Sequence, residues 1–151
     1  MPVIRKATVN DVKEIQKLIT YHAKRDRMLM RSLNELYDNI RDFFIYIDGK
    51  KILGCCALHV GWEDLAEIKS LAVAKGKMKK GIGGQLIEYC LQDAKALKVR
   101  RVFALTYVPG FFKRFGFKVI AKGKLPHKIW SECIKCPYFP NCKEVALMRK
   151  I

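Results

Sequence analysis

One stretch constrains this chain more than any other. It is Leu71-Ala-Val-Ala-Lys-Gly-Lys-Met-Lys-Lys-Gly-Ile-Gly-Gly84: an apolar strand-like run, a basic loop, and a glycine cluster that opens a helical pattern. Beyond the glycines, apolar residues recur at Ile82, Leu86, Ile87, Cys90, Leu91, Ala94 and Leu97, which is helical spacing. A helix start exposes N–H groups with no partner inside the helix and carries partial positive charge, so it suits an anion such as phosphate. Glycine lets a ligand approach those amides closely, and Lys75, Lys77, Lys79 and Lys80 add long-range attraction. Two common phosphate cradles are excluded. A P-loop needs Lys and Ser or Thr after its last glycine, whereas Ile82 and Gly83 follow Gly81. A dinucleotide fingerprint needs a glycine three residues beyond Gly83, where Leu86 stands. What remains is an x-x-x-G-x-G turn from Met78 to Gly83, either a phosphate cradle or a turn that serves only the chain's path.

The rest of the chain reads as alternating strands and helices. Val3 to Ala7 is strand-like, and Thr8 with Asp11 opens an amphipathic helix through Val12, Ile15, Leu18 and Ile19. Ser32 followed by Glu35 is a capping box for a shorter helix with Leu36 and Ile40. Phe43 to Ile47 and Lys51 to Val60 form strands around a turn at Asp48-Gly49, and Leu65 to Val73 forms the next. Val102 to Leu105 is a short buried strand, and Pro109 starts a brief helix through Phe112 that breaks at Gly116. Phe117 to Ala121 and Val145 to Met148 close the sheet. The expected order is β-α-α-β-β-β-α-β-α-β-β. The fold class is α+β (α/β by looser naming): residues 1–151 form a single domain, a mixed, mostly antiparallel central sheet flanked by helices.

At 151 residues, half of them hydrophobic, the chain can bury a real core without staples. No apolar run approaches the roughly 20 residues of a membrane span. The opening MPVIRKATVNDV lacks the apolar stretch of a signal peptide, so the expected location is cytoplasmic, with no membrane partner. Thirty Lys+Arg against 14 Asp+Glu give a formal charge of +16, which favours an anionic partner or else a solvated lysine-rich surface. Nucleic acid is not the expected partner: no helix-turn-helix signature, RNP motif or separate basic arm is present.

The stretch Glu67-Ile-Lys-Ser-Leu-Ala-Val73, the loop Met78 to Gly84, and Phe111-Phe-Lys-Arg-Phe-Gly-Phe117 resemble the GNAT superfamily of N-acetyltransferases. Other pieces resemble its short, single-domain N-acetylglutamate synthases, which open arginine biosynthesis. These are Ile4-Arg-Lys-Ala7 with Asp11-Val12, Leu29-Met-Arg-Ser32, Gly54-Cys-Cys-Ala-Leu58, and Leu125-Pro126 with Ile129-Trp130, leading into Cys133-x-x-Cys-Pro and Cys142-Lys-Glu144. The resemblance implies an acyltransferase that moves the acetyl group of acetyl-CoA onto the α-amine of L-glutamate. Leu71, Ala72 and Val73 would pair with the pantetheine arm, and the amides of Lys79, Lys80, Gly81, Ile82, Gly83 and Gly84 would take the pyrophosphate. That loop begins with Gln or Arg in the superfamily, and with Met78 here, which implies weaker anchoring.

The implied chemistry needs a neutral amine, because an ammonium has no lone pair for the thioester. Glu67 matches a common position for the base that removes that proton. Phe112 stands where many relatives carry the tyrosine that protonates the leaving thiolate. Phe112 cannot donate, so it is expected to pack against the cofactor, leaving Tyr107 or water as proton source. Arg31, within Leu29-Met-Arg-Ser32, matches a substrate arginine, and a planar guanidinium suits carboxylates; Lys69 and Ser70 are expected to face the same cleft. Cys133, Cys136 and Cys142 have metal-like spacing, but zinc wants four ligands, so His127 or a distant cysteine would have to complete the set. Three unmetallated thiols are the alternative. Cys55 and Cys56 are expected to pack inside a strand. The rivals that remain are another amine acceptor, a polyamine being disfavoured by the basic chain, and a non-catalytic acetyl-CoA sensor. Pairing into a homodimer is left open.

Overall fold

The computed structural model describes residues 1–78, 80–125 and 144–151. Strand β1 (Pro2–Lys6) leads through a 3-10 turn at Val9–Asp11 into α1 (Val12–Ala23), so the helical pattern expected from Thr8 begins with a tighter turn. After α1 come α2 (Leu33–Asp38), the hairpin β2 (Phe43–Asp48) and β3 (Lys51–Trp62), and then β4 (Leu65–Val73). Next are α3 (Ile82–Ala96), β5 (Arg101–Thr106), α4 (Pro109–Lys113), β6 (Lys118–Val119) and β7 (Val145–Lys150). Among the described residues seven strands form one sheet in the order β1-β2-β3-β4-β5-β7-β6, antiparallel throughout except for the parallel pair β4–β5. The fold is α+β, and the helices and strands of the described residues follow the order expected from the sequence.

Local chemistry explains where elements begin. The capping box at α2 is formed: the Glu35 N–H donates to Ser32 Oγ at 3.1 Å, and the Ser32 N–H reaches back to Glu35 Oε1 at 3.5 Å. At the head of α1, the Thr8 N–H donates to Asp11 Oδ2 at 2.7 Å, while Arg5 grips both oxygens of that carboxylate at 2.9 and 3.2 Å. Burial opposes ionisation of Asp11, but Arg5 and the Thr8 amide outweigh it and hold the carboxyl below its usual range. A carboxyl with a lowered folded-state pKa adds stability above its unfolded pKa of about 3.9 and loses it as pH falls through the folded value. Asp11→Asn is therefore expected to lower stability at neutral pH by about 1–2 kcal/mol, the half-exposed Arg5 keeping the figure modest. The deficit should shrink below about pH 4, as urea melts at both pH values would show.

The sheet is covered on both faces. On one, Ile82, Leu86, Ile87, Cys90, Leu91 and Ala94 of α3 pack on Phe44, Cys56, Leu58, Ala66, Ile68 and Val102. On the other, Val12, Ile15, Ile19 and Leu36 of α1 and α2 pack on Phe43, Ile45, Cys55, Ala57 and Ala72. Each fully buried aliphatic side chain contributes about 1.5–3 kcal/mol, so this double layer holds β3 and β4 as rigid central strands. Among the described residues no helix is long and apolar enough to cross a membrane.

Candidate functional site

The glycines of the turn have unlike tasks. Gly81 is the N-cap of α3 and sits at φ +79°, a left-handed conformation that costs glycine little. Gly83 and Gly84 are needed for packing: a Cβ on Gly83 would lie 3.0 Å from Phe111 Cζ, and one on Gly84 would lie 2.8 Å from Phe115 Cζ. The aromatic segment after Pro109 thus presses its rings against the first turn of α3. Gln85 makes the first helical bond, to the Gly81 carbonyl, so the N–H groups of Ile82, Gly83 and Gly84 have no acceptor within the helix. No acidic side chain occupies that first turn, which leaves its positive end free for an anion. Lys80 lies beside it and is exposed. Lys79 lies outside the described residues.

Beside this turn the sheet opens. The parallel pairing of β4 with β5 runs Leu65↔Arg101, Ala66↔Val102, Glu67↔Phe103, and stops. Ala104 to Thr106 of β5 continue with β7, and Lys69 to Val73 of β4 continue with β3. The two parallel strands therefore diverge past Glu67, and one edge of β4 faces the gap with backbone donors and acceptors that no strand takes among the described residues. Such an edge can pair with an extended ligand carrying amides. Leu71, Ala72 and Val73 lie along it, with Ala72 and Val73 buried.

A bulge re-aims β4 midway. Cys55 pairs with Ala72 and Ala57 with Lys69, so β4 holds one residue more than β3 across this interval, and Ser70 adopts φ +57°. A non-glycine residue there is strained. The Cys55 thiol donates to the Ser70 carbonyl at 3.4 Å and helps to hold the distortion.

Lys69 and Ser70 then border a shallow recess, open to solvent, with Arg31, Glu35 and Asn39, floored by Leu36 and Phe43. Three of the residues expected to hold substrate, Arg31, Lys69 and Ser70, thus meet at one place, brought from the α1–α2 connection and from β4. Arg31 is fixed by its backbone, whose carbonyl accepts from Gln16 Nε2 at 3.3 Å, and by Glu35, whose Oε2 lies 3.3 Å from Nη1. Its Nε is buried without a partner. An unmet buried donor costs about 1–3 kcal/mol, which a ligand acceptor can recover. Leu29 is half-buried and does not line the recess.

With this geometry in place, residues 9–117 match the sequence profile of the Acetyltransferase (GNAT) family. The chain belongs to the GNAT family of acetyltransferases. An uncharacterized N-acetyltransferase of Chlorobaculum tepidum is 38% identical over 98% of this chain and 96% of its own length. An amino-acid acetyltransferase of Mycobacterium tuberculosis is 35% identical over 87% of this chain and 76% of its own length. Among solved structures, Rv2747 from M. tuberculosis, in complex with CoA and NLQ, superposes with a TM-score of 0.85 at 29% identity over 99% of both chains. N-acetylglutamate synthase from Neisseria gonorrhoeae, complexed with coenzyme A and N-acetyl-glutamate, reaches 0.91 at 26% identity, covering 99% of this chain and 35% of that one.

In this GNAT domain Glu67 occupies the last position at which β4 and β5 still pair, at the point of the gap. It is half-buried and lies two residues before Lys69, about 6–7 Å along the strand on the same face. Tyr107 directly follows β5 on the opposite side and is also half-buried. Phe112 is only 4% exposed, its ring edge-on to Phe111 and Phe117. It therefore has little surface to present to a cofactor, and its part is in the core beneath α3. Phe111 and Phe115, which the sequence did not single out, are the rings that shape the turn.

The described thiols do not make nucleophiles. Cys55, Cys56 and Cys90 are fully buried. Burial pushes the Cys55 thiol up to about 12, and the Cys90 Sγ at 3.7 Å, together with burial, raises Cys56 well above the ordinary range. Iodoacetamide labelling of the native protein followed by peptide mapping is expected to leave all three unmodified, and to label them after denaturation. Among the described residues no group of three or more His, Cys, Asp or Glu could hold a metal. The zinc expectation at Cys133, Cys136 and Cys142, with His127, lies outside the described residues.

Proposed function

We propose that this GNAT domain transfers the acetyl group of acetyl-CoA to the α-amine of L-glutamate, the N-acetylglutamate synthase reaction that opens arginine biosynthesis. The observation that carries it is the recess in which Arg31, Lys69 and Ser70 converge, with a buried Arg31 donor awaiting an acceptor, beside the gap between β4 and β5. Two cations and a hydroxyl suit a small dicarboxylate. The amino-acid acetyltransferase relative and the N-acetylglutamate synthase structure support the same substrate class.

Coenzyme A fits the chain's own features. The diphosphate would take the amides of Ile82 to Gly84, where no side chain competes, and the pantetheine arm would run along the edge of Leu71, Ala72 and Val73, where the Val73 carbonyl already accepts from His22 Nε2. Acetyl-CoA supplies an activated thioester carbonyl and a thiolate leaving group. Glu67 accepts the proton of the α-ammonium, directly or through one water, and so frees the lone pair. Arg31 and Lys69 hold the carboxylates and orient the amine toward the gap. Tyr107 or solvent returns a proton to the thiolate.

The test is release of CoA with glutamate, glutamine, ornithine and spermidine as acceptors. Glutamate should give the highest kcat/KM. One observation favours a second acceptor: Glu35 already pairs with Arg31 at 3.3 Å and, with Asn39, gives the recess a side suited to an uncharged amide. Glutamine turned over faster than glutamate would select that reading. Intact CoA binding without turnover of any amine would make the domain an acetyl-CoA sensor.

A further inference from the structure

We propose that Arg27, in the connection that leaves α1, binds the diphosphate of coenzyme A and is the guanidinium of a turn whose own cations are all lysines. This rests on the placement of that diphosphate at the start of α3. Between Lys75 and Gly84 the chain offers Lys75, Lys77, Lys79 and Lys80 but no arginine. Lysine is a mobile point charge, whereas arginine presents a planar fork that matches phosphate oxygens two at a time.

Arg27 is held in place from both its ends. Helix α1 closes in a Schellman motif: the Asp26 N–H donates to the Ala23 carbonyl at 3.1 Å, the Arg27 N–H donates to the His22 carbonyl at 3.1 Å, and Asp26 takes φ +57°. That fixes the Arg27 backbone. Its Nη1 lies 3.2 Å from His22 Nδ1 and 3.8 Å from Met78 Sδ, on the residue that leads into the glycine turn. His22 is 6% exposed, and its Nε2 lies 2.7 Å from the Val73 carbonyl. A carbonyl only accepts and a guanidinium only donates, so Nε2 carries the proton and Nδ1 offers the lone pair to Arg27. One neutral imidazole thus ties the last residue of β4, where the pantetheine arm would run, to a cation at the diphosphate turn.

The partners chosen for Arg27 point to a ligand. Among the described residues three guanidiniums are paired with acid, Arg5 with Asp11, Arg31 with Glu35 and Arg101 with Asp64, while Arg25 and Arg149 donate to the carbonyls of Tyr21 and Phe115. Arg27 is steadied by an imidazole nitrogen and a thioether, both uncharged, and among the described residues it forms no ion pair with a carboxylate. It is exposed. Its charge is oriented but not neutralised, which is what an anion arriving at Met78 to Gly84 requires.

Titration calorimetry with coenzyme A alone tests this without reference to any acceptor. Arg27→Ala is expected to weaken CoA binding about tenfold or more, Arg27→Lys to restore part of the loss, and the double variant Arg27→Ala/Met78→Arg to restore most of it. Dephospho-CoA should show the same dependence on Arg27, because it keeps the diphosphate. The KM of the acceptor should not move. Arg27→Ala binding CoA as tightly as the wild type would overturn the proposal and leave the α3 site standing. Loss of the Arg27 effect with dephospho-CoA would overturn it in favour of the ribose phosphate. A wild-type chain that binds no CoA would remove both the site and Arg27's part in it.

Discussion

Replacing Glu67 with glutamine is expected to slow turnover by about 10²- to 10⁴-fold, the range that a positioned general base contributes. The size of the effect follows from where Glu67 stands. It is the last residue of β4 paired with β5, opposite Phe103, and the gap begins beyond it. An amine held over Lys69 comes within reach of a carboxylate two residues back on the same face. The amide variant keeps the shape and loses the proton acceptor. Without a base, the rate follows the small fraction of acceptor already deprotonated, which falls about tenfold for each pH unit below the amine pKa. The deficit should therefore be deepest at low pH and narrow as pH rises. The measurement is kcat against pH for both proteins; parallel profiles would dismiss Glu67 as the base.

The second large effect is expected at Arg31. Arg31→Ala should raise the KM for glutamate by roughly 10- to 100-fold, the equivalent of one charge-assisted hydrogen bond of about 1.5–3 kcal/mol. The KM for acetyl-CoA should stay within about twofold, since binding of the acceptor alone is lost. Stability should not fall by much, because the partly exposed i,i+4 Arg31–Glu35 pair contributes about 0.3–0.5 kcal/mol and the variant also removes the unmet buried Nε donor. Arg31→Lys should recover only part of the affinity, as a point charge cannot reproduce the fork. If both KM values rise together, or the melting temperature falls with them, Arg31 belongs to the scaffold and not to the acceptor site.

Much of the fold was legible because its signals are local. The Ser32–Glu35 capping box, the strand Leu65–Val73 and the apolar stripe of α3 each declare themselves within a few residues, and each appears in the structure where the pattern places it. Arg31, Lys69 and Ser70 could be named, yet their meeting depends on α2 packing over β4, which no local pattern states. The stop in β4–β5 pairing is equally silent, since Ile68 to Val73 is as strand-like after Glu67 as before it. Gly83 and Gly84 looked like openings for a ligand. The structure gives them to the rings of Phe111 and Phe115, a contact across more than twenty-five residues of chain. Arg27 was lost among the 30 basic residues, because nothing in a sequence distinguishes a guanidinium held by an imidazole from one in water.

The inserted residue at Ser70 also bears on how such a domain can change over generations. Upstream of it lie Glu67 and Lys69, which the proposed function gives to the acceptor; downstream lie Leu71 to Val73, which it gives to the thioester arm. Because the extra residue resets the alternation between them, the two halves of one strand are free to vary separately. A new amine could be adopted by altering the first half while the second keeps its grip on the acyl donor. Excising one residue at this point would turn Leu71 and Ala72 to opposite faces and forfeit that independence.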